Sequence, residues 1–196
     1  ALIEGNMQRQ VTENIPEDAP AFFFVDIQPD QIADFRDLMA ELPAATGLET
    51  TPSMRGRIVA ANGVPAEQAL VDPEQAWLLC GDRGVTFTDG PKPGEQPIAG
   101  DWWPEGYEGP PLVSVYEDIA RAFALTIGDT LTVNLLGRDI QAEIASIRDI
   151  DWRSLNINFT MVFSPDPVSA APHTFIATIQ APPSAEADIL RAVAEQ

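Results

Sequence analysis

The sequence predicts an α+β fold in which a split β-α-β unit is interrupted by a β-rich unit. Three observations carry this. Apolar and polar residues alternate at period two on both sides of Gly137: Leu131, Val133 and Leu135 share one face, and Ile140, Ala142 and Ile144 share another. Apolar stripes at helical spacing fall at Ile32–Leu42 and again near Ile189–Val193. The 18 prolines punctuate loops throughout and exclude an all-helical chain.

Along the chain, residues 1–14 have helical composition, with Leu2, Ile3, Met7, Gln10 and Val11 near one face, and Pro16 and Pro20 end that pattern. Phe22–Ile27 is an apolar run too short for a helix and reads as a buried strand. Asp30 offers an N-cap to a helix whose core face is Ile32, Phe35, Leu38, Met39 and Leu42, and Pro43 and Gly47 end it. Leu48–Ala61 carries the next strand, and Asn62-Gly63 starts a loop to Pro73. Trp77–Thr88 alternates again. Asp89–Gln96 and Asp101–Pro111 are Pro/Gly loops, the second rich in aromatics. Glu117–Leu125 is a helix, Thr130–Leu136 and Asp139–Ile147 form the hairpin, and strands near Asn158–Phe163 and Phe175–Ile179 follow. Ala185–Gln196 closes the chain as a helix with Ile189, Leu190 and Val193 as its stripe. The implied organisation is one unit at 15–61 plus 150–183, a β-rich insertion at 62–149, and end helices at 1–14 and 184–196.

Composition narrows the function. With 30 acidic against 11 basic residues the net charge is −19, which opposes binding to nucleic acid or to anionic headgroups. No apolar run approaches the ~18 residues needed to cross a bilayer, and no basic region followed by an apolar one marks a signal peptide. Cys80 is the single cysteine, so no intrachain disulfide can form.

The sequence lacks the common catalytic patterns. Lys92, the single lysine, lies between Pro91 and Pro93, so no phosphate-binding loop exists. There is no G-x-S-x-G elbow. His173 is the single histidine; Ser164 and Ser169 are near it in sequence with no sign of an oxyanion hole, and a strand-start structural role is expected. One Cys and one His cannot build a zinc site. Asp149 and Asp151 at i, i+2 are expected on one strand face, solvated and partnered by Arg148 and Arg153. No catalytic, cofactor or metal residue is assigned, no cofactor is expected, and the chain is read as no enzyme. The candidate contact residues are Trp102, Trp103 and Tyr107, aromatics on a loop framed by Gly100, Pro104, Gly106 and Gly109, with Arg83 as their support. Rings in such a setting more often plug the base of the loop into the core.

Several strings resemble a known family. They are Arg55–Gly63 (RGRIVAANG), Leu78–Thr86 (LLCGDRGVT), Gly100–Pro104 (GDWWP), Gly109–Val115 (GPPLVSV), Asp151–Pro165 (DWRSLNINFTMVFSP) and Pro172–Ala177 (PHTFIA), together with the Ile127-Gly128-Asp129-Thr130-Leu131 step. The chain resembles the extracytoplasmic domain of FtsX-like, MacB-type permeases of ABC transporters, and within them the large permeases associated with esterase or lysophospholipase genes. Cys80 stands where that subgroup carries an arginine. The resemblance implies a porter-like α+β subdomain interrupted by a β-rich one, lying between two membrane spans on the periplasmic or extracellular face of a bacterial inner membrane. It implies a membrane-embedded full-length protein, a separate ABC ATPase subunit, and a periplasmic protein or lipid substrate as partner. A stand-alone ligand-binding module and, less favoured, a hydrolase are the alternatives.

Overall fold

The structure, a computed structural model, describes residues 19–91, 96–151 and 157–195. The expected helix at 1–14 and the Trp152–Leu155 string lie outside them. In chain order the elements begin with β1 (Phe22–Ile27), α1 (Ile32–Glu41), β2 (Thr46–Ala61), β3 (Val64–Pro65) and α2 (Ala66–Ala69). A 3₁₀ segment at Pro73–Leu79 precedes β4 (Arg83–Phe87), β5 (Ala99–Gly100), β6 (Leu112–Tyr116) and α3 (Glu117–Ala122). Then come β7 (Thr130–Leu135), β8 (Arg138–Arg148), β9 (Met161–Phe163), β10 (Thr174–Gln180) and α4 (Glu186–Ala194). The fold class is α+β. Among the described residues two compact units form: 19–52, 157 and 173–195 in the first, 53–91, 96–151 and 158–172 in the second.

In the first unit β10 lies between β1 and the start of β2, and β1 runs antiparallel to it. Helices α1 and α4 bury their stripes with that sheet: Phe24, Ile27, Ile32, Phe35, Met39, Ala177, Ile179, Ile189 and Val193 form one cluster. A bulge between Phe24 and Ile27, with Asp26 at φ 61°, puts both of those side chains into the core despite their odd spacing. Asp30 does not cap α1. The N-cap is Gln31, and its Oε1 accepts the Gln28 N–H at 3.1 Å.

The second unit is a closed barrel. β2 pairs with β4, β4 with β9, β9 with β6, β6 with β8, β8 with β7, and β7 returns to β2. Closure satisfies both edges of each of these strands, a solution that open sheets lack. Alternation fills the interior: Leu131, Val133 and Leu135 from β7 and Ile140, Ala142 and Ile144 from β8 are all buried, with Val85, Val113, Met161 and Phe163 beside them. Gly56 is where β2 meets both β4 and β7. A Cβ there would come within 2.7 Å of Leu135, 2.8 Å of Val133 and 3.0 Å of Val85, so the crowded interior admits only glycine.

Two placements differ from the sequence reading. Trp77–Thr88 is not one alternating strand: Asp72 caps the 3₁₀ segment by accepting the Glu74 N–H at 3.0 Å, and β4 starts only at Arg83. β9, expected to complete the first unit, closes the barrel of the second.

The Gly-Asp-x-Leu step is a turn held by its own aspartate. Asp129 Oδ2 accepts the Thr126 N–H at 2.7 Å and its hydroxyl at 3.1 Å, while Gly128 turns at φ 90°. These bonds, the backbone N–H foremost, hold the Asp129 carboxyl below its usual pKa. A depressed folded-state pKa contributes stability that is present above the unfolded value and lost as pH falls through the folded one. Asp129→Asn is therefore expected to lower the urea midpoint at pH 7, with the gap to the parent narrowing as the pH drops through and below the carboxylate range. A gap independent of pH would show that the charge is immaterial.

Candidate functional site

The aromatic loop is a strap tied over one side of the barrel unit. It leaves β5 at Gly100, whose φ is 70° and where an added Cβ would run into the Ala145 carbonyl, so no other residue fits the exit. Trp103 is 2% exposed and its indole N–H donates to the Thr88 carbonyl at 3.0 Å. Gly106 N–H donates to Asp89 Oδ1 at 2.8 Å, and the Tyr107 hydroxyl donates to the Pro110 carbonyl at 2.9 Å. The strap is thus fixed to the Thr88–Asp89 corner at two points and braced within itself at a third.

The four candidate residues separate. Trp103 is a core plug and offers nothing to a partner. Trp102 is half-buried, edge-to-face on Trp103 with centroids 5.3 Å apart. Tyr107 is half-buried and lines an open cleft of roughly 380 Å³ with Phe87, Thr88, Asp89, Gly106, Glu108 and Pro165. Arg83 does not support the strap. Its guanidinium donates to the carbonyls of Trp77 and Cys80 and lies 4.7 Å from the Trp77 ring centroid, where it ends the 3₁₀ segment.

One buried group was missed from the sequence. On β8 the inward alternation of Ile140, Ala142 and Ile144 continues through Ser146 to Arg148, and Arg148 is only 6% exposed. Its Nε–H donates to Ser114 Oγ at 2.9 Å and an Nη–H to the Phe159 carbonyl at 2.9 Å. Ser146 Oγ donates to Ser114 Oγ at 2.6 Å, and the guanidinium lies 5.8 Å from the Trp102 ring centroid. The strap's outer tryptophan therefore rests on a buried cation.

The remaining candidates fall in structural roles. β8 ends at Arg148, so Asp149 and Asp151 lie beyond the strand; both are exposed, with buried Ile150 between them. Arg148, the partner expected for them outside, is turned inward instead. Ser164 is buried and accepts the Leu112 N–H at 3.0 Å. The His173 ring packs edge-to-face on Phe175 at 5.3 Å. Among the described residues no group of three or more His, Cys, Asp or Glu is placed to hold a metal, and no helix is long and apolar enough to cross a membrane.

No family model matches the chain. A domain assigned to a permease protein from Porphyromonas gingivalis superimposes on 82% of this chain and 74% of its own, with a TM-score of 0.46 and 12% identity; a superposition that loose carries no inference about function. Over 180 residues, 91% of its length, the chain is 26% identical to the uncharacterized ABC transporter permease YbbP of Escherichia coli (strain K12). The chain spans 21% of that permease's length. It is homologous to part of an ABC transporter permease.

Proposed function

We propose that the chain is the extracytoplasmic domain of an FtsX-like, MacB-type ABC transporter permease, facing the periplasm or cell exterior. In this role it performs no catalysis. It couples movement of the membrane helices to a partner or substrate outside the membrane, while a separate ATPase subunit hydrolyses nucleotide. The observation that carries the reading is the alignment: nearly the whole chain matches about one fifth of a much longer permease. The strap supports it, since Trp102 and Tyr107 are held rigidly at a partly exposed position, as contact residues need to be.

The coding sequence on either side is expected to encode apolar segments of ~20 residues, long enough to span a bilayer. The 196-residue chain itself is expected to hydrolyse neither ATP nor simple esters. A flanking frame with no such segments, or ester hydrolysis abolished by His173→Ala, would overturn the assignment.

A further inference from the structure

The cleft beside Tyr107 has a chemistry of its own, distinct from the general acidity of the surface. Its carboxylates are Asp89 and Glu108, and among the described residues no basic side chain lines it. Asp89 is fixed in place because Oδ1 accepts the Gly106 N–H at 2.8 Å, and among the described residues its Oδ2 makes no hydrogen bond. Glu108 makes no hydrogen bond or ion pair among the described residues. Phe87, Tyr107 and Pro165 supply apolar walls, and the Tyr107 ring cannot swing away while its hydroxyl holds the Pro110 carbonyl.

We propose that this cleft docks a cationic side chain, arginine foremost, presented by a protein partner. The inference rests on the reading of the strap as a partner-facing surface and adds the partner's chemistry. An arginine suits the lining at both ends: its aliphatic stem and planar head lie along aromatic and proline walls, and its donors reach two carboxylates that have acceptor capacity left. An anionic headgroup or phosphate would meet two like charges here, within a chain of net charge −19. That overall charge also steers a basic partner toward the domain, but only the cleft gives it a fixed register.

The test uses the ¹⁵N-labelled 196-residue chain titrated at low salt with Ac-Ala-Arg-Ala-NH₂, and with the same peptide carrying neutral citrulline in place of arginine. Saturable shift changes confined to 87–89 and 106–108 are expected for the arginine peptide. They should weaken at least about fivefold with citrulline and in the Asp89→Asn/Glu108→Gln double variant. Asparagine keeps an acceptor for the Gly106 N–H, so an unchanged melting curve would confirm that the strap stays in place. Equal binding of the citrulline peptide at the same residues would overturn the cationic chemistry while leaving a contact surface. Shifts scattered over the acidic surface, insensitive to the double variant, or no shifts at all would overturn the docking site. The permease assignment is tested separately by the flanking reading frame, so either can fail alone.

Discussion

Trp103→Ala is expected to destabilise the barrel unit by ~3–5 kcal/mol, the range for truncating a fully buried aromatic. Trp102→Ala, one residue away, is expected to cost about 1–2 kcal/mol. The two rings touch, but their surroundings differ. Trp103 is 2% exposed, and its loss removes both a large packed ring and the N–H that satisfies the Thr88 carbonyl at 3.0 Å. Trp102 is half-buried and gives up an edge-to-face contact and its place over Arg148. Urea unfolding of both variants followed by far-UV circular dichroism measures the difference. A Trp103→Ala midpoint equal to the parent's would mean that the strap contributes nothing to the fold.

Where periodicity is long and uninterrupted, the fold is legible. The hairpin of β7 and β8 is written at period two on both strands, and Gly137, at φ 91°, sits in the turn between them. The stripe of α1 is equally plain: Ile32, Phe35 and Met39 are all buried. In α4 the stripe is narrower than its composition suggests, since Ile189 and Val193 are buried while Leu190 is half exposed. Barrel closure is not legible, because it depends on pairings between distant segments. β9 is only Met161–Phe163, too short to show a period, yet it bridges β4 and β6. The 3₁₀ segment hides for another reason. Asp72-Pro73-Glu74 is a readable helix start, but the apolar run Trp77-Leu78-Leu79 imitates a strand.

At the candidate site the aromatic loop is found from composition alone, whereas the division of labour within it is not. Adjacent tryptophans look alike in a sequence, and only the fold shows that Trp103 is the buried one, with its N–H on the Thr88 carbonyl. In the sequence Arg83, between Asp82 and Gly84, reads as support for the strap. Its nearest carbonyls are those of Trp77 and Cys80, which the 3₁₀ geometry brings within reach. The Arg148 network could have been found by carrying the alternation of β8 two steps further, past Ser146, against the expectation that a charged residue faces water.

Arg148→Ala is expected to destabilise the barrel unit by about 3 kcal/mol. The guanidinium satisfies a buried serine hydroxyl and the Phe159 carbonyl, each at 2.9 Å. Hydrogen bonds to a charged group contribute about 1.5–3 kcal/mol each, and removing the donor leaves buried acceptors whose desolvation is no longer compensated. The cavity left behind adds to the loss, and the Trp102 ring loses the cation beneath it. Ser146→Ala serves as the control. It removes one hydroxyl that donates to Ser114 at 2.6 Å but leaves the Arg148 bonds to Ser114 and to the Phe159 carbonyl in place, so about 1 kcal/mol is expected. Thermal and urea midpoints rank the two variants. The fluorescence of Trp102 gives a second readout: its emission should shift toward that of solvated indole in Arg148→Ala while staying near the parent's in Ser146→Ala. If Arg148→Ala melts with the parent, the buried cation is not structural.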